Sequence, residues 1–390
     1  MANQIPYSRQ SIDTYDIEAV VEALKSDWLT TGPMVERFEE RLADYVGSRY
    51  AVAVSNGTAA LHTALAAAGV GPGDEVIVPA MTFVATANAA VFQGATPVFC
   101  DVDPEMLLIN PNLVSDLITS KTKAVIAVDY TGQPCDYERL QSISRENGLV
   151  LVADACHSLG GAYQGKRVGS LADLNAFSFH PAKHITTGEG GMVTTDNIEY
   201  ATQMRQFRNH GITMDHNQRA KEGTWFYEMK GLGFNYRLSD VQCALGLSQL
   251  AKQPDWIARR QEIAHRYHQA FEGHGLVRPL SFRNLEEHAY HLYVVRVVHN
   301  RDQVFKLLRQ AGIGVNVHYI PVHLHPFYRN NFKTKEGQCP VAEGAFREIM
   351  SLPMFPTLSD ADQTRVIEAV WEAAGQMGQS LQTVRGVDAL

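Results

Sequence analysis

The amino-acid sequence predicts an α/β protein with a large domain, built on a mainly parallel sheet flanked by helices, and a smaller C-terminal α/β domain. The chain has 390 residues, enough for two domains with a substantial core. Apolar runs rich in β-forming residues alternate with amphipathic stretches through the first two thirds of the chain. Strands that alternate with helices form βαβ units, so this pattern predicts parallel pairing. We place the large domain at 1–250 and the small domain at 251–390.

The early part of the chain contains a series of apolar runs of strand length. Amphipathic stretches lie between them, and "TAALHTALAAAG" and "YERLQSISRENG" have helical periodicity. The predicted strands are "YAVAV" at 50, "EVIVP" at 75, "TPVFCD" at 96, "KAVIAV" at 123 and "LVLVAD" at 149.

The pattern changes after these runs. Two shorter strands, in "LNAFSFH" and "GMVTTD", are predicted on either side of Lys183. The stretch that begins at Ser239 predicts two helices, because Pro254 interrupts the helical pattern. Further on, "AYHLYVVRVV", "DQVFKLLRQAG" and "DADQTRVIEAVWEAA" predict the strand and helices of the smaller α/β domain.

The region from Val76 to Cys100 contains no charged residue. A membrane span needs about 20 predominantly apolar residues. This run is broken by Pro79, Asn88, Gln93, Gly94 and Pro97. A buried strand, helix and second strand are therefore predicted here.

Composition limits the partners and the compartment. The net charge of −8 disfavours nucleic acid and anionic membrane surfaces. The five cysteines are widely spaced, odd in number and without metal-ligand spacing, as expected for reduced thiols in a cytosolic chain. "MANQIPYSRQSIDTYDIE" lacks the apolar core and cleavage site of a signal peptide. We therefore expect a cytoplasmic protein with no nucleic-acid or membrane partner.

The first candidate site residue is Asp154, which ends an apolar strand in "VADACHS". In open α/β sheets, ligands bind in the crevice beyond the carboxyl ends of the strands. A carboxylate placed there needs a cation or a hydrogen-bond donor as its partner. A helix cap or an ordinary salt bridge is the alternative explanation for this aspartate.

The second candidate is "SNGTAALH", where a strand turns into a helix. Gly57, Thr58 and Ala59 would present backbone N–H groups at a helix N-terminus, an arrangement that binds phosphate. The same residue types also cap ordinary helices, so the stretch alone is a weak signal. It is not a P-loop, because no Gly-Lys-Ser/Thr follows.

The third candidate is Lys183, in the glycine-rich loop "SFHPAKHITTGEGG". Most loop lysines are surface residues. Glycine nevertheless lets other groups approach the backbone closely. An amine held in a desolvated pocket has a lowered pKa and becomes a nucleophile toward carbonyl groups.

These three ambiguous features together fit one cofactor, pyridoxal phosphate. That cofactor needs a phosphate site, a carboxylate on its ring nitrogen and a lysine that forms a Schiff base. Ser178 could add a hydroxyl to the phosphate site, Phe83 could stack on the ring, and His157 could support the ring hydroxyl. Core packing for Phe83 and a polar loop position for His157 are the alternatives.

The stretches "SNGTAALH", "VADACHSLGG", "SFHPAKHITTGEGGM" and "GFNYRLSDVQCALG" resemble the sugar aminotransferase family of fold-type I pyridoxal phosphate enzymes. The resemblance covers roughly residues 5–375, with the motifs in the family's order. It implies a large domain with a mainly parallel seven-stranded sheet and a smaller C-terminal α/β domain. It also implies a transamination in which the cofactor passes through its pyridoxamine phosphate form.

The resemblance implies a role for each candidate. Lys183 would form the Schiff base and shuttle the proton, and Asp154 would keep the pyridinium nitrogen protonated. Phe83 would lie over the ring, and His157 would contact its hydroxyl. The phosphate would be held by Gly57, Thr58, Ala59 and Ser178, with Asn235 of "FNYR" reaching in from the second subunit of a homodimer.

The resemblance also implies the substrates, which are glutamate as amino donor and a UDP-linked 4-keto-6-deoxy-N-acetylhexosamine as acceptor at C4. The stretch "HYIPVHLH" leaves a zinc alternative open, but zinc needs further convergent ligands, so a polar sugar pocket and no metal are predicted. The nucleotide-sugar site would comprise Tyr7, Lys25, Ser26, Asp27, Trp28, Arg237, His318, Tyr319, Ile320 and Pro321.

Three other functions remain open. One is a sugar 3-dehydratase on the same scaffold, but those relatives carry histidine in place of the lysine, and His184 is one residue out of register. A second is an aminotransferase that acts on another nucleotide-linked keto sugar. The third is a non-catalytic cofactor-binding regulator or structural dimer.

Overall fold

The computed structural model describes residues 4–214, 216–284 and 287–387. The strands up to residue 195 are β1 (Tyr50–Val54), β2 (Glu75–Pro79), β3 (Thr96–Cys100), β4 (Thr122–Val128), β5 (Val150–Asp154), β6 (Ala162–Tyr163), β7 (Lys166–Arg167), β8 (Leu174–Ser178) and β9 (Gly191–Thr195). The short strands β6 and β7 pair with each other. The other strands form a seven-stranded sheet in the order β1-β9-β8-β5-β4-β2-β3.

The central sheet is mainly parallel, as predicted. Only β9 runs against the others, and it pairs antiparallel with both β1 and β8. All five early apolar runs form strands, β1 to β5. They consist almost entirely of apolar residues because helices cover both faces of such a sheet, and 124–128 of β4 is buried throughout.

The helices are α1 (Thr14–Lys25), α2 (Pro33–Val46), α3 (Gly57–Ala67), α4 (Val84–Phe92), α5 (Pro111–Val114), α6 (Tyr137–Glu146), α7 (Ile198–Phe207), α8 (His216–Glu222), α9 (Asp240–Phe271), α10 (Arg301–Gln310), α11 (Pro326–Phe332), α12 (Pro340–Glu348) and α13 (Asp360–Val387). Short 3-10 turns lie at Ser115–Leu117, Tyr130–Gly132 and Val322–Leu324. The two amphipathic stretches form α3 and α6, as predicted. In α6 the buried residues Tyr137, Leu140 and Ser144 recur at helical spacing, and Asp136 caps the first turn.

The charge-free region from Val76 to Cys100 forms β2, α4 and β3, which confirms the predicted strand, helix and strand. Small residues let α4 pack closely on the sheet, and Ala87, Ala89 and Ala90 are fully buried. Among the residues that the structure describes, no helix is both long and apolar enough to cross a membrane.

The prediction of two helices around Pro254 is wrong, because α9 continues through this proline from Asp240 to Phe271. Proline inside a helix costs about 3 kcal/mol through its missing N–H group and its clash with the preceding turn. Leu250 and Ile257 are buried on either side of it. Burial of such side chains contributes roughly 1.5–3 kcal/mol each, so packing offsets the defect.

A second sheet lies in the C-terminal part, with strands β10 (Val277–Pro279), β11 (Tyr293–Val297) and β12 (Ile349–Leu352) in that order. Both pairings are antiparallel. The three C-terminal stretches named in the sequence form β11, α10 and α13, as predicted. A separate hydrophobic cluster forms here and includes Tyr267 from α9 and Ile5 from the N-terminal segment. The boundary predicted at residue 250 falls inside α9, and the division at that residue stays a prediction.

The topology brings several chain segments to one edge of the central sheet. The carboxyl end of β1 leads into α3, and that of β2 leads into α4. The strand β5 ends at Asp154, and β8 ends at Ser178, shortly before Lys183. Because these strands are parallel, the segments that follow them converge on the same side, where ligands bind in open α/β sheets.

Candidate active site

A cavity of about 490 Å³ opens at this edge of the sheet. Its walls come from the loops after β1, β2, β5 and β8, from the N-terminal segment, and from the segments near 291 and 318. The predicted site residues that line it are Tyr7, Gly57, Thr58, Phe83, Asp154, His157, Ser178, Lys183, His318 and Tyr319.

The loop that carries Lys183 is a closed turn between β8 and β9. Phe179 N–H donates to the Gly190 carbonyl at 2.8 Å, and Thr187 N–H donates to the Phe179 carbonyl at 3.0 Å. A further turn is closed by Lys183 N–H and the His180 carbonyl at 2.8 Å. These bonds fix the backbone, and the lysine side chain extends into the cavity from a rigid base.

The Lys183 amine lies in a desolvated position. Burial lowers its pKa below the ordinary value of 10.5, although Cys156 and Asp154 act in the opposite direction. Its Nζ is 3.4 Å from His291 Nε2. A lysine with a lowered pKa has more of the uncharged amine at neutral pH, which is the form that attacks carbonyl groups and accepts protons.

The Asp154 carboxylate is buried and held in a fixed orientation. Thr86 Oγ1 donates to its Oδ2 at 2.7 Å, and the backbone N–H of Cys156 donates to its Oδ1 at 3.3 Å. Thr82 supports Thr86 through a hydroxyl contact of 2.8 Å. The site therefore presents a preoriented negative charge, which suits a cationic ring nitrogen.

The N-terminus of α3 provides an anion site. Among the residues described, no acceptor takes the backbone N–H groups of Gly57 and Thr58, which point from the positive end of the helix dipole. A Cβ at Gly57 would lie 2.8 Å from Ser178 Cβ, so glycine is needed for this close approach. Ala59 differs from the prediction, because its N–H already donates to Asn56 Oδ1 at 2.8 Å.

His157 and Tyr319 form one wall of the cavity. His157 Nε2 lies 3.2 Å from the Tyr319 hydroxyl, and its Nδ1 has no partner among the described residues. Burial lowers the pKa of His157 well below the ordinary value of 6.5, and Lys183 adds to this effect. Phe83 stands at the cavity mouth with its side chain 54% exposed, and its ring centroid is 5.8 Å from that of Tyr319.

The remaining predicted residues do not line the cavity of this chain. Arg237 donates to Asn209 Oδ1 at 2.7 Å in a neighbouring pocket. Lys25 forms an exposed ion pair with Glu22 at 3.1 Å. The others outside the cavity wall are Ser26, Asp27, Trp28, Asn235, Ile320 and Pro321.

Two of the three histidines of "HYIPVHLH", His318 and His323, are engaged by protein groups. His318 Nδ1 lies 2.8 Å from Ser351 Oγ, and its Nε2 lies 3.2 Å from Asn316 Nδ2. His323 Nε2 pairs with Glu343 at 2.9 Å. In the described ranges, no three His, Cys, Asp or Glu side chains are grouped so that they could hold a metal ion.

Two residues at the site, Thr86 and His291, are not predicted from the sequence. Thr86 follows Phe83 by about one turn of α4. Helical spacing after β2 could therefore have indicated that both side chains lie near the cavity. His291 precedes β11 and reaches Lys183 across a separation of 108 residues. No local pattern marks a contact of that range.

The residues present fit pyridoxal phosphate. Two free N–H groups at a helix N-terminus suit its phosphate, the Asp154 carboxylate suits its ring nitrogen, and the unpaired Nδ1 of His157 suits a ring substituent. Together with the sheet order, these features define a fold-type I pyridoxal phosphate enzyme.

Comparison with known proteins gives the family. Residues 10–371 match the DegT/DnrJ/EryC1/StrS aminotransferase family. The chain belongs to this family, and its cofactor is pyridoxal phosphate.

Individual relatives match almost the whole chain. The spore coat polysaccharide biosynthesis protein SpsC of Bacillus subtilis is 42% identical over 374 residues, covering 94% of this chain and 96% of the relative. The PLP form of the putative sugar aminotransferase Spr1654 of Streptococcus pneumoniae superposes with a TM-score of 0.90 at 33% identity, covering 96% of this chain and 100% of that one. Helicobacter pylori PseC, an aminotransferase involved in the biosynthesis of pseudoaminic acid, has a TM-score of 0.89 at 32% identity with the same coverage. These relatives favour a sugar transaminase over the dehydratase alternative.

Proposed function

We propose that the protein transfers an amino group from glutamate to C4 of a UDP-linked 4-keto-6-deoxy-N-acetylhexosamine. The product would be UDP-4-amino-4,6-dideoxy-N-acetyl-β-L-altrosamine, an intermediate of pseudaminic acid synthesis. The observation that best supports transaminase chemistry is that the desolvated Lys183 amine lies in a cavity that Asp154 also lines. The similarity to PseC supports the choice of sugar.

Pyridoxal phosphate supplies, when bound, an aldehyde carbon that takes up and returns the amino group and a ring that delocalises a carbanion's electrons. Lys183 then acts as the base. Its Nζ would take the proton from the donor carbon that carries nitrogen, pass it to the cofactor carbon that receives the nitrogen, and make both transfers in reverse in the second half-reaction. The lowered pKa increases the fraction of this amine that is uncharged and able to accept a proton.

The other residues bind and orient. The Asp154 carboxylate provides a fixed negative charge that favours a protonated ring nitrogen. The N–H groups of Gly57 and Thr58 and the Ser178 hydroxyl bind the phosphate. Both substrates use one site in turn, so the kinetics are expected to be ping-pong.

Lys183→Ala provides the direct test of the chemistry. The variant is expected to lose turnover, because both the attachment point and the base are removed. The exposed Lys121→Ala serves as a control for loss of a lysine elsewhere. Near-normal turnover of Lys183→Ala without added amines would overturn the assignment.

We also propose a homodimer with shared active sites. Asn235 lies outside its own chain's cavity, in a loop that exposes a cluster of large apolar side chains. Such a cluster is typical of a protein interface. Its exposed members are Trp225, Phe226, Tyr227, Met229 and Leu232.

Subunit mixing tests this arrangement. Lys183→Ala and Asn235→Asp are each expected to be poorly active at limiting cofactor, the second because its charge repels phosphate. In an equal mixture, half of the dimers combine both chains and have one intact site, so about a quarter of wild-type activity returns. No recovery after confirmed subunit exchange would exclude a shared site.

A different keto-sugar nucleotide is the second candidate substrate. SpsC, a protein of spore coat polysaccharide biosynthesis, is more similar in sequence to this chain than PseC is. Incubation with glutamate and a panel of 4-keto and 3-keto sugar nucleotides, with products identified by mass and NMR, separates the two. Amination of only a sugar other than the 6-deoxy altrose derivative would overturn the primary assignment.

A cytoplasmic location and a catalytic role complete the proposal. All five cysteines are unpaired, as expected in a reducing compartment. A regulator that only binds the cofactor would not respond to an amino donor. A glutamate-dependent change in the cofactor's absorbance therefore distinguishes the enzyme from that alternative.

A further inference from the structure

His291 contacts the Lys183 amine, with 3.4 Å between its Nε2 and the lysine Nζ. Its ring also packs against that of His157 at a centroid distance of 4.3 Å. The side chain is 4% exposed, and its Nδ1 has no partner among the described residues. Among the described residues, Lys183 is therefore the hydrogen-bond partner of this imidazole.

The surroundings keep this imidazole neutral. Burial lowers the pKa of His291 well below 6.5, and the adjacent Lys183, His157, His184 and Arg260 lower it further. A neutral imidazole has one N–H group and one lone pair. By exchanging tautomers it can accept a hydrogen from an ammonium group and donate one to a free amine. It can therefore bond Lys183 in both protonation states.

The residue before His291, Tyr290, is held in an uncommon backbone conformation. Tyr290 has a φ of 47°, which costs a residue without glycine's freedom about 1–3 kcal/mol. Ala289 N–H donates to the Gly132 carbonyl at 2.9 Å. A Cβ at Gly132 would lie 2.8 Å from Tyr290 N and 3.0 Å from His291 N, so glycine is required for this approach.

Arg260 fixes the same backbone from the other side. It is 1% exposed, and its Nη1 donates to the carbonyls of Tyr290 at 2.9 Å, Met354 at 3.2 Å and His291 at 3.5 Å. No carboxylate among the described residues pairs with it, and burial lowers its pKa to about 10. A buried cation is costly, and this one donates to the carbonyls of Tyr290, which has the positive φ, and of His291, which follows it.

We propose that His291 is a positioning residue that anchors the Lys183 amine whenever it is free, and that Arg260 holds His291 in place. The proposal rests on the proposed function, in which Lys183 acts as a free base. A lysine amine on a flexible four-carbon chain samples many directions unless a partner fixes it. His291 therefore acts through the lysine, and its loss is expected to lower kcat.

Two substitutions separate positioning from packing. His291→Phe keeps an aromatic ring against His157 and removes both nitrogens, and we expect kcat to fall roughly tenfold to a hundredfold. His291→Gln places a polar group near the Nε2 position and is expected to restore most of kcat. The exposed His265→Gln is the surface control. The proposal would be overturned if the His291→Phe variant kept the wild-type kcat. It would also be overturned if the His291→Phe and His291→Gln variants lost kcat equally.

A second readout needs neither substrate nor cofactor. Pulse acylation of cofactor-free protein with acetic anhydride, followed by peptide mapping, reports how freely the Lys183 amine moves. At high pH, where the amine is uncharged, His291→Phe is expected to label severalfold faster than wild type and His291→Gln at about the wild-type rate. Equal rates in all three proteins would refute the anchoring contact. If the wild type aminates no keto sugar, the proposed function fails, while this measurement still decides the role of His291.

Arg260 has its own test. Arg260→Met is expected to reproduce both effects of His291→Phe, and the double variant should lose no more than either single variant, because the two act in one chain of contacts. If Arg260→Met does not fold, Arg260→Lys keeps a cation without the planar fork and provides the same comparison. Full kcat and unchanged labelling in a folded Arg260 variant would remove the arginine from the proposal.

Discussion

Lys183 and Asp154 line the same cavity, and their surroundings give them opposite tasks. Burial lowers the lysine pKa, which favours its uncharged form. The carboxylate receives hydrogen bonds from Thr86 and from the backbone of Cys156, which orient a negative charge. One cavity therefore holds both a candidate base and an oriented carboxylate.

Asp154→Asn is expected to reduce kcat by roughly 10³-fold or more. Asparagine has nearly the same size and can still accept the Thr86 hydrogen bond, but it lacks the charge that favours a protonated ring nitrogen. Steady-state kinetics with cofactor occupancy measured by absorbance provide the test. A rate within about tenfold of wild type at full occupancy would refute the electrostatic role.

At the scale of single elements, the N-terminus of α3 gives the most direct prediction. A methyl group at position 57 would come within 2.8 Å of Ser178 Cβ, a distance that forces α3 and β8 apart. Gly57→Ala should therefore weaken cofactor binding at least tenfold, as measured by absorbance titration, since the N–H groups move from the phosphate.

Gly344→Ala is the matched control, because its added methyl group would meet nothing within 4 Å. It lies inside α12, where alanine is favoured over glycine by up to about 1 kcal/mol. We expect a small gain in thermal stability and unchanged cofactor affinity. Equal affinities in the two variants would show that the close approach at Gly57 is not needed.

Elements with a strong local signal were predictable from the sequence. The strands β1 to β5 are visible in the sequence as apolar runs, because a sheet covered on both faces needs apolar residues at successive positions. Around Pro254, local propensity favours a break, and tertiary burial of Leu250 and Ile257 overrides it. Packing partners far along the chain are not visible in local sequence.

The same limit applies to the site. Gly57, Asp154 and Lys183 each end or follow a predicted strand, so parallel topology alone brings them to one edge. The sequence predicts that the Ala59 N–H donates to the phosphate, but the Asn56 side chain accepts from it as a helix cap. His291 enters through the second sheet, by a tertiary contact that no motif encodes.

At the scale of the whole molecule, the cavity is lined both by segments that follow strands of the central sheet and by the segment that leads into the second sheet at His291. The N-terminal segment links two parts of the chain, because Gly314 N–H donates to the Ile5 carbonyl at 2.6 Å, and Ser8 Oγ donates to the Ala182 carbonyl at 3.2 Å, next to Lys183. The segment around His291 reaches the lysine from the second sheet. The geometry of the base therefore depends on both hydrophobic clusters.

Buried histidines make the stability of the whole molecule sensitive to acid. Burial lowers their pKa values, to about 4 for His62 and His318. Between the ordinary value of 6.5 and these lowered values, the unfolded chain binds more protons than the folded one. The free energy of unfolding is therefore expected to fall as pH drops through this window. The buried histidines with lowered pKa are His62, His157, His184, His288, His291 and His318.

Asp129 acts in the opposite direction. Burial raises its pKa to about 6, so the folded state binds its proton more tightly between that value and 3.8, and acid stabilises the fold through this group. In the part of the chain that the structure describes, one carboxyl group with a raised pKa opposes several histidines, so net loss of stability on acidification is expected. Denaturant unfolding of the cofactor-free protein at pH 7.5, 6 and 5 measures this loss of stability.

Two histidine variants provide the control. His62→Gln keeps a hydrogen-bonding group for Tyr236 and should reduce the pH dependence of stability, whereas the exposed His265→Gln should not. Stability that is flat or rises on acidification, or equal slopes for the two variants, would contradict this account of the buried histidines.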